Sequence, residues 1–308
     1  MATYLITGGC GFIGSHLADA LLARGDNVRI LDDLSTGKRD NVQTACEVSI
    51  GDVADTDTVK QAMQGVDGCF HLAAVASVAR SNEDWVGTHR INQTGTVNVL
   101  DAARYAKAGR PVPVIYASSA ATYGDCRDLP ICEEAPRQPL TAYGADKLGS
   151  ELHAVVASGV HGVPTCGFRF FNVYGPRQDP HSPYSGVISI FTNRMKDGAD
   201  VTVFGDGGQT RDFVYVADVV AHLLAGMQKA AGEAKVYNVC TGKAITILQL
   251  AQRVRSLLES QATIHHGEPR AGDIRESLGD PRRATEELGV SAQVALEDGL
   301  KKLLDSLN

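Results

Sequence analysis

The 308-residue sequence has no apolar run approaching the ~20 residues that a membrane-spanning helix needs. It also lacks the basic excess that nucleic acid or an anionic membrane selects. Its net charge is -7, so neither is expected as the main partner. A small anionic ligand stays open, because it needs only a local cluster of donors. The seven cysteines (Cys10, Cys46, Cys69, Cys126, Cys132, Cys166 and Cys240) are odd in number and form no Cys-x-x-Cys pair. That scatter argues against a disulfide framework or a zinc site; buried, reduced thiols in a cytoplasmic protein are expected. The nine histidines show no metal-ligand spacing, and His265-His266 reads as a surface pair. Between Met1 and Thr7 there is neither a basic stretch nor a cleavage-site pattern, so no secretion signal is expected.

What is present is ordinary globular composition, 44% hydrophobic and 21% charged, at a length that supports a large core. In the first half, short apolar runs alternate with helical patterns. Thr3–Thr7, Val28–Leu31, Glu47–Ile50, Cys69–Ala73 and Val112–Ala117 read as strands. Ser15–Arg24, Thr56–Met63, His89–Lys107 and Tyr143–Ser158 read as helices, the first with Leu17, Leu21 and Leu22 on one face and Gly25 after its end. Strands Thr165–Asn172 and Lys235–Cys240 and helices Val216–Ala230 and Thr246–Ser260 follow. The alternation predicts an α/β fold, a doubly wound parallel sheet of about seven strands. Residues 1–175 would form the dinucleotide-binding domain, also receiving about 211–241. Residues 176–210 and 242–308 would form a smaller substrate lobe across the carboxyl edge of the sheet. Pro176 to Gly186, rich in Pro, Ser and Gly, reads as a long functional loop.

Gly8-Gly9-Cys10-Gly11-Phe12-Ile13-Gly14 follows a strand and opens a helix. Glycines there let the backbone approach a pyrophosphate held at the helix N-terminus. The next strand ends at Asp32, 18 residues after Gly14, where a carboxylate accepts from adenosine ribose hydroxyls and repels a 2′-phosphate. NAD is therefore expected rather than NADP. Asp52-Val53, after the third strand, would reach the adenine.

Tyr143 and Lys147 stand four apart on a helix and share a face. A free tyrosine, with a pKa near ~10, is a poor base at neutral pH. A neighbouring ammonium and a positive nicotinamide ring favour the phenolate, which then takes a proton from a substrate hydroxyl. Ser118-Ser119 at a strand end completes the pattern.

With these motifs in order, the chain resembles the extended short-chain dehydrogenase/reductase family over nearly its whole length. The resemblance rests on the cofactor turn Thr7–Gly14, Ser118-Ser119-Ala120-Ala121-Thr122-Tyr123-Gly124, Tyr143/Lys147, Arg169-Phe170-Phe171-Asn172-Val173-Tyr174-Gly175 and Arg211-Asp212-Phe213. The branch of UDP-glucose 4-epimerases and their N-acetylhexosamine relatives is the most similar. The resemblance implies that Ser119 bonds the reacting sugar hydroxyl, Tyr143 is the base and Lys147 holds the tyrosine and the nicotinamide ribose. It extends the cofactor set to Asp33, Thr36, Gly37, Leu72, Ala73, Ala74, Asn92 and Phe170. Phe170 stands where some epimerases carry a tyrosine. For the substrate it implies Ser77, Asn172, Val187, Val203 and Phe204, with Arg211 and Arg270 on the diphosphate and Asp273 on the uridine ribose. Ser277, seven positions after Arg270, would leave room at C2 for an N-acetyl group.

Related dehydratases and decarboxylases carry acidic residues directly after the serine or threonine of this strand; here stand Ala120 and Ala121. C4 epimerisation of a UDP-hexose is therefore expected, in a homodimer packed through the 89–107 and 143–158 helices. Open alternatives are a reductase, uronate epimerase or 5,6-dehydratase on the same scaffold, and a non-catalytic NAD-sensing protein.

Overall fold

The computed structural model describes residues 1–179, 186–270 and 273–307. Six parallel strands come from the first 170 residues: β1 (Thr3–Thr7), β2 (Asn27–Asp32), β3 (Glu47–Ile50), β4 (Gly68–His71), β5 (Val114–Ser119) and β6 (Thr165–Phe170). The helices between them are α1 (Phe12–Ala23), α2 (Thr56–Met63), α3 (Val78–Glu83), α4 (Trp85–His89), α5 (Gly95–Ala103) and α6 (Ala142–His161). The second half adds β7 (Asn172–Tyr174), α7 (Val187–Lys196), β8 (Val201–Phe204), β9 (Thr210–Tyr215), α8 (Val216–Lys229) and β10 (Lys235–Val239). It closes with β11 (Ala244–Thr246), α9 (Ile247–Leu257), β12 (Ile264–Gly267), α10 (Arg282–Leu288) and α11 (Leu296–Asp305).

The large sheet runs β10-β6-β5-β4-β1-β2-β3, parallel throughout. The chain steps outward from β1 to β3 and then restarts on the other side at β4. That reversal opens a crevice at the carboxyl ends of β1 and β4, where ligands enter such folds. Strand alternation feeds two cores. Ile6, Ile30, Phe70, Ile115 and Phe168 meet Leu17 and Leu21 of α1 and Val219 and Leu223 of α8. Leu5, Leu31 and Val114 meet Val59 of α2 and Val99, Leu100 and Ala103 of α5 on the other face. Leu17 and Leu21 are fully buried, each contributing about 1.5–3 kcal/mol relative to exposure.

The smaller lobe holds a β11-β9-β7 sheet and the β12-β8 pair, packed by α7, α9 and α11 around Phe191, Val203, Phe213, Leu250 and Val254. α10 lies instead against the large sheet, with Ala284 and Leu288 in the same core as Leu223 and Tyr237.

The helix expected over 89–107 is interrupted. α4 gives way to a π-turn at Arg90–Thr94, and α5 ends at Ala103. Asn92 in that turn exchanges both amide bonds with the Val75 backbone, a tertiary demand that local periodicity does not carry. All seven cysteines are free thiols; five are buried, and Cys126 and Cys132 are half-buried. His265 and His266 are exposed on β12, bonded to Asp200 and to the Gly205 carbonyl. Among the described residues, no helix is long and apolar enough to cross a membrane.

Candidate active site

The crevice is a cavity of about 470 Å³. Its adenosine-sized end is lined by the Gly8–Gly14 turn, Asp32, Asp33, Thr36, Gly37 and Val53, its waist by Leu72, Ala73 and Ala74. Gly8 has φ +70°, and a Cβ there would stand 2.7 Å from the Ala73 amide nitrogen. A Cβ on Gly14 would stand 2.3 Å from the Gly8 carbonyl oxygen. Side chains here would fill the cradle. Gly11 caps α1 without a side-chain bond, so the first-turn N–H groups stay available to an anion. Asp32 accepts from the Cys10 and Leu34 backbone N–H groups at 2.9 Å, which fixes its carboxylate at the cavity wall. Burial raises its pKa and those two bonds pull it back. These groups fit a dinucleotide with free ribose hydroxyls.

At the other end stand Ser119, Tyr143, Lys147, Phe170 and Asn172. Consecutive residues of β5 meet α6. The Lys147 ammonium donates to the Ala117 carbonyl at 2.8 Å and the Ser118 hydroxyl donates to Glu151 at 2.6 Å, while Ser119 and Tyr143 line the same end of the cavity. The Lys147 Nζ lies 5.8 Å from the Tyr143 ring centroid. Burial raises the Tyr143 pKa, and the Ser119 hydrogen bond opposes that shift. Burial pushes Lys147 down to about 8, with Asp146 acting in the opposite direction.

Beneath Lys147, His71 uses both ring nitrogens. Thr96 donates to the Asn92 carbonyl at 2.6 Å, so its oxygen is free to accept from His71 Nε2 at 3.1 Å. Nδ1 then accepts from the Thr7 hydroxyl at 2.7 Å. Burial, and secondarily Lys147, push this imidazole down to about 3, which keeps it neutral.

A second cavity of about 220 Å³ is lined by Asn172, Val187, Val203, Phe204, Arg211, Arg270 and Asp273, and Asn172 borders both. The Arg270 guanidinium lies 3.8 Å above the Phe204 ring. Arg211 is ion-paired with Asp273 and donates to the Ile274 carbonyl at 2.7 Å. Two guanidiniums in one cavity, Arg270 over an aromatic ring and Arg211 beside it in the lining, suit a nucleoside diphosphate.

A sequence profile of the NAD dependent epimerase/dehydratase family matches residues 4–240. The chain belongs to this family. The UDP-glucose 4-epimerase of Mycolicibacterium smegmatis is 36% identical over 308 residues, 98% of this chain and 97% of the relative. The solved UDP-glucose 4-epimerase of Thermotoga maritima, with UDP-glucose, has a TM-score of 0.94 and 34% identity, covering 99% and 98% of the two chains. The UDP-N-acetylglucosamine 4-epimerase of Methanobrevibacter ruminantium, in complex with UDP-N-acetylmuramic acid, also has a TM-score of 0.94, at 31% identity and the same coverage. The chain is an enzyme of the epimerase/dehydratase family, and its cofactor is NAD.

Most side chains that sequence reasoning assigned to this family member's site border one of the two cavities. Four do not. Asp52 pairs with Arg90, while its neighbours Gly51 and Val53 line the adenosine end. Asn92 is buried behind Val75 and shapes the waist indirectly. Ser77 caps α3 by accepting from the Arg80 N–H. Ser277 sits in an irregular segment lining neither cavity, so its small side chain frees no room in either. Ala271 and Gly272 of the Arg270–Asp273 segment, and 180–185 of the long loop, lie outside the described residues. Sequence reasoning missed Val75, Ala76 and Gln178. Gln178 was within reach, since it sits in the loop flagged by composition. There it accepts from the Ser189 hydroxyl at 2.6 Å.

Proposed function

We propose that this chain inverts C4 of a UDP-hexose, interconverting UDP-GlcNAc with UDP-GalNAc, UDP-Glc with UDP-Gal, or both. One observation carries the choice of reaction. Among the described residues lining the large cavity, the only carboxylates are Asp32 and Asp33, at the adenosine end. Elimination at a neighbouring carbon calls for an acid and a base near the sugar, and decarboxylation for a proton donor there, whereas Ser119 is followed by Ala120 and Ala121. Among the described residues lining the large cavity, Lys147 is the one cation, so a neutral hexose suits it better than a uronate.

In this reading Ser119 bonds the C4 hydroxyl, and Tyr143 takes its proton. Lys147 holds the nicotinamide ribose and, as an ammonium, favours the phenolate. A bound NAD would supply the hydride acceptor for C4 and the hydride that returns to the opposite face of the 4-keto sugar. Arg211 and Arg270 hold the diphosphate and Asp273 the uridine ribose. The sugar can therefore turn over while its nucleotide stays anchored. Asn172, bordering both cavities, sits at the junction.

The chain is further proposed to act as a cytoplasmic homodimer. Leu152, Val155, Val156 and Val160 form an exposed apolar stripe along α6, and Val97 of α5 is also exposed.

Proton NMR of the purified protein with UDP-GlcNAc, and separately UDP-Glc, tests the reading without added NAD. Galacto-epimer anomeric signals are expected without accumulation of reduced cofactor. Tyr143→Phe should lower the rate roughly a hundredfold or more while leaving bound NAD in place. Conversion of neither sugar, even after NAD is supplied, would end the epimerase reading. Unchanged function in Tyr143→Phe would point to a sensor.

A further inference from the structure

Behind the proposed catalytic residues lies a buried polar network that their chemistry does not use. The carboxylate of Glu151 on α6 accepts from the Ser118 hydroxyl at 2.6 Å and from Arg169 of β6 at 2.8 and 2.7 Å. Arg169 also donates to the Tyr123 hydroxyl at 2.7 Å and to the Glu133 carbonyl at 2.9 Å. Tyr123 in turn donates to Asn238 of β10 at 2.6 Å. Ser118, Glu151 and Arg169 are each at most 3% exposed.

A buried ion pair is weak evidence for stability, since well-packed apolar side chains often do as well. What this one adds is placement. Tyr143, Lys147 and Glu151 are successive positions four apart on one face of α6. Lys147 and Glu151 meet Ala117 and Ser118 of β5, and Tyr143 lines the same cavity end as Ser119. The proposed chemistry needs Tyr143 and Ser119 at the same substrate carbon, and a helix sliding or rolling on its strand would move them apart. Lys147 alone gives one fixed point, about which the helix can pivot. Glu151, held from two strands, gives a second.

We infer that Ser118, through Glu151 and Arg169, is a positioning residue that fixes the register between the strand carrying Ser119 and the helix carrying Tyr143 and Lys147. The inference rests on the Tyr143 reading given above. Ser118 borders the large cavity, but its hydroxyl is turned to Glu151. Its hydroxyl points into the network, and its loss leaves both Arg169–Glu151 bonds intact. Glu151→Gln or Arg169→Met would instead strand a buried charge and disturb folding, so Ser118 is the residue to change.

Ser118→Ala and Ser118→Thr are compared with wild type on the UDP-hexose that wild type converts. The alanine variant should lose roughly tenfold or more in kcat, with KM within about twofold and bound NAD unchanged, because misplacement penalises the transition state more than binding. The threonine variant, with its hydroxyl restored, should recover most of the loss. An alanine variant with wild-type kcat would overturn the inference. So would a loss that tracks thermal destabilisation and is not recovered by threonine. A second measurement needs no turnover: an ultraviolet difference titration of the Tyr143 phenol, taken against Tyr143→Phe. A slackened Ser119 contact should shift that titration to higher pH in Ser118→Ala and leave it in place in Ser118→Thr. An unshifted alanine variant again rejects the inference. Wild type converting no sugar would fail the epimerase reading while leaving this titration decisive.

Discussion

His71 is a neutral imidazole under an ammonium, bonded on both sides by threonine hydroxyls. An unfolded chain holds its histidine proton up to about pH 6.5, whereas burial makes the folded chain shed it down to about 3. Between those values the unfolded state binds more protons, so stability falls as pH drops, by at most roughly 1.4 kcal/mol per unit from this one group. Urea unfolding at pH 7 and pH 5 should show the loss, and His71→Asn should flatten it. Equal pH slopes in the two proteins would mean that another group is responsible. Local sequence gives this histidine no signature, because its partners lie 64 and 25 residues away. Tyr143, Lys147 and Asp32 were legible for the opposite reason, since helix spacing or a strand end fixes where each points. Ser77 and Ser277 were assigned through resemblance alone; one is used as a helix cap, and the other borders neither cavity.

Elements with strong local signals coincide with the sequence reading. α2 spans Thr56–Met63 as expected, its start set by Asp55, which accepts from the Thr58 N–H. β3 also has the expected bounds. The 89–107 helix was misread because its π-turn is imposed by Asn92 reaching across to Val75. The Gly-rich turn can be tested as a unit. Gly14→Ala forces a Cβ into the Gly8 carbonyl and should weaken NAD binding at least roughly tenfold, or about 1.4 kcal/mol. Gly25→Asn makes a fair control. Its φ is also positive, at +81°, yet nothing lies within 4 Å of its missing Cβ. Calorimetric titration of NAD-stripped protein reads both, and equal affinities would discount the steric account.

For the whole molecule, the doubly wound sheet was readable from its alternation, and the sequence reading already interleaved the lobes by returning about 211–241 to the large domain; what it did not place is α10. α10 follows the small lobe in sequence but packs on the large sheet, because Ala284 and Leu288 complete the α8–β10 core. Assembly is the corresponding test. If the exposed stripe on α6 pairs two copies, Val155→Glu combined with Val156→Glu should halve the mass seen by sedimentation equilibrium. A monomeric wild type would dismiss that interface.

α6 is turned inside out relative to an ordinary surface helix. It buries Asp146, Lys147, Ser150, Glu151 and Ser158 and shows Leu152, Val155, Val156 and Val160 to the exterior. A nascent helix of that kind, guided by hydrophobicity alone, would dock with the wrong side inward. Its correct seat uses Ser118 of β5 and Arg169 of β6 as partners, so pairing of those two strands is predicted to precede its docking. Until then its valine ridge is a sticky surface on a half-made protein, the kind that clumps at high concentration or on heating.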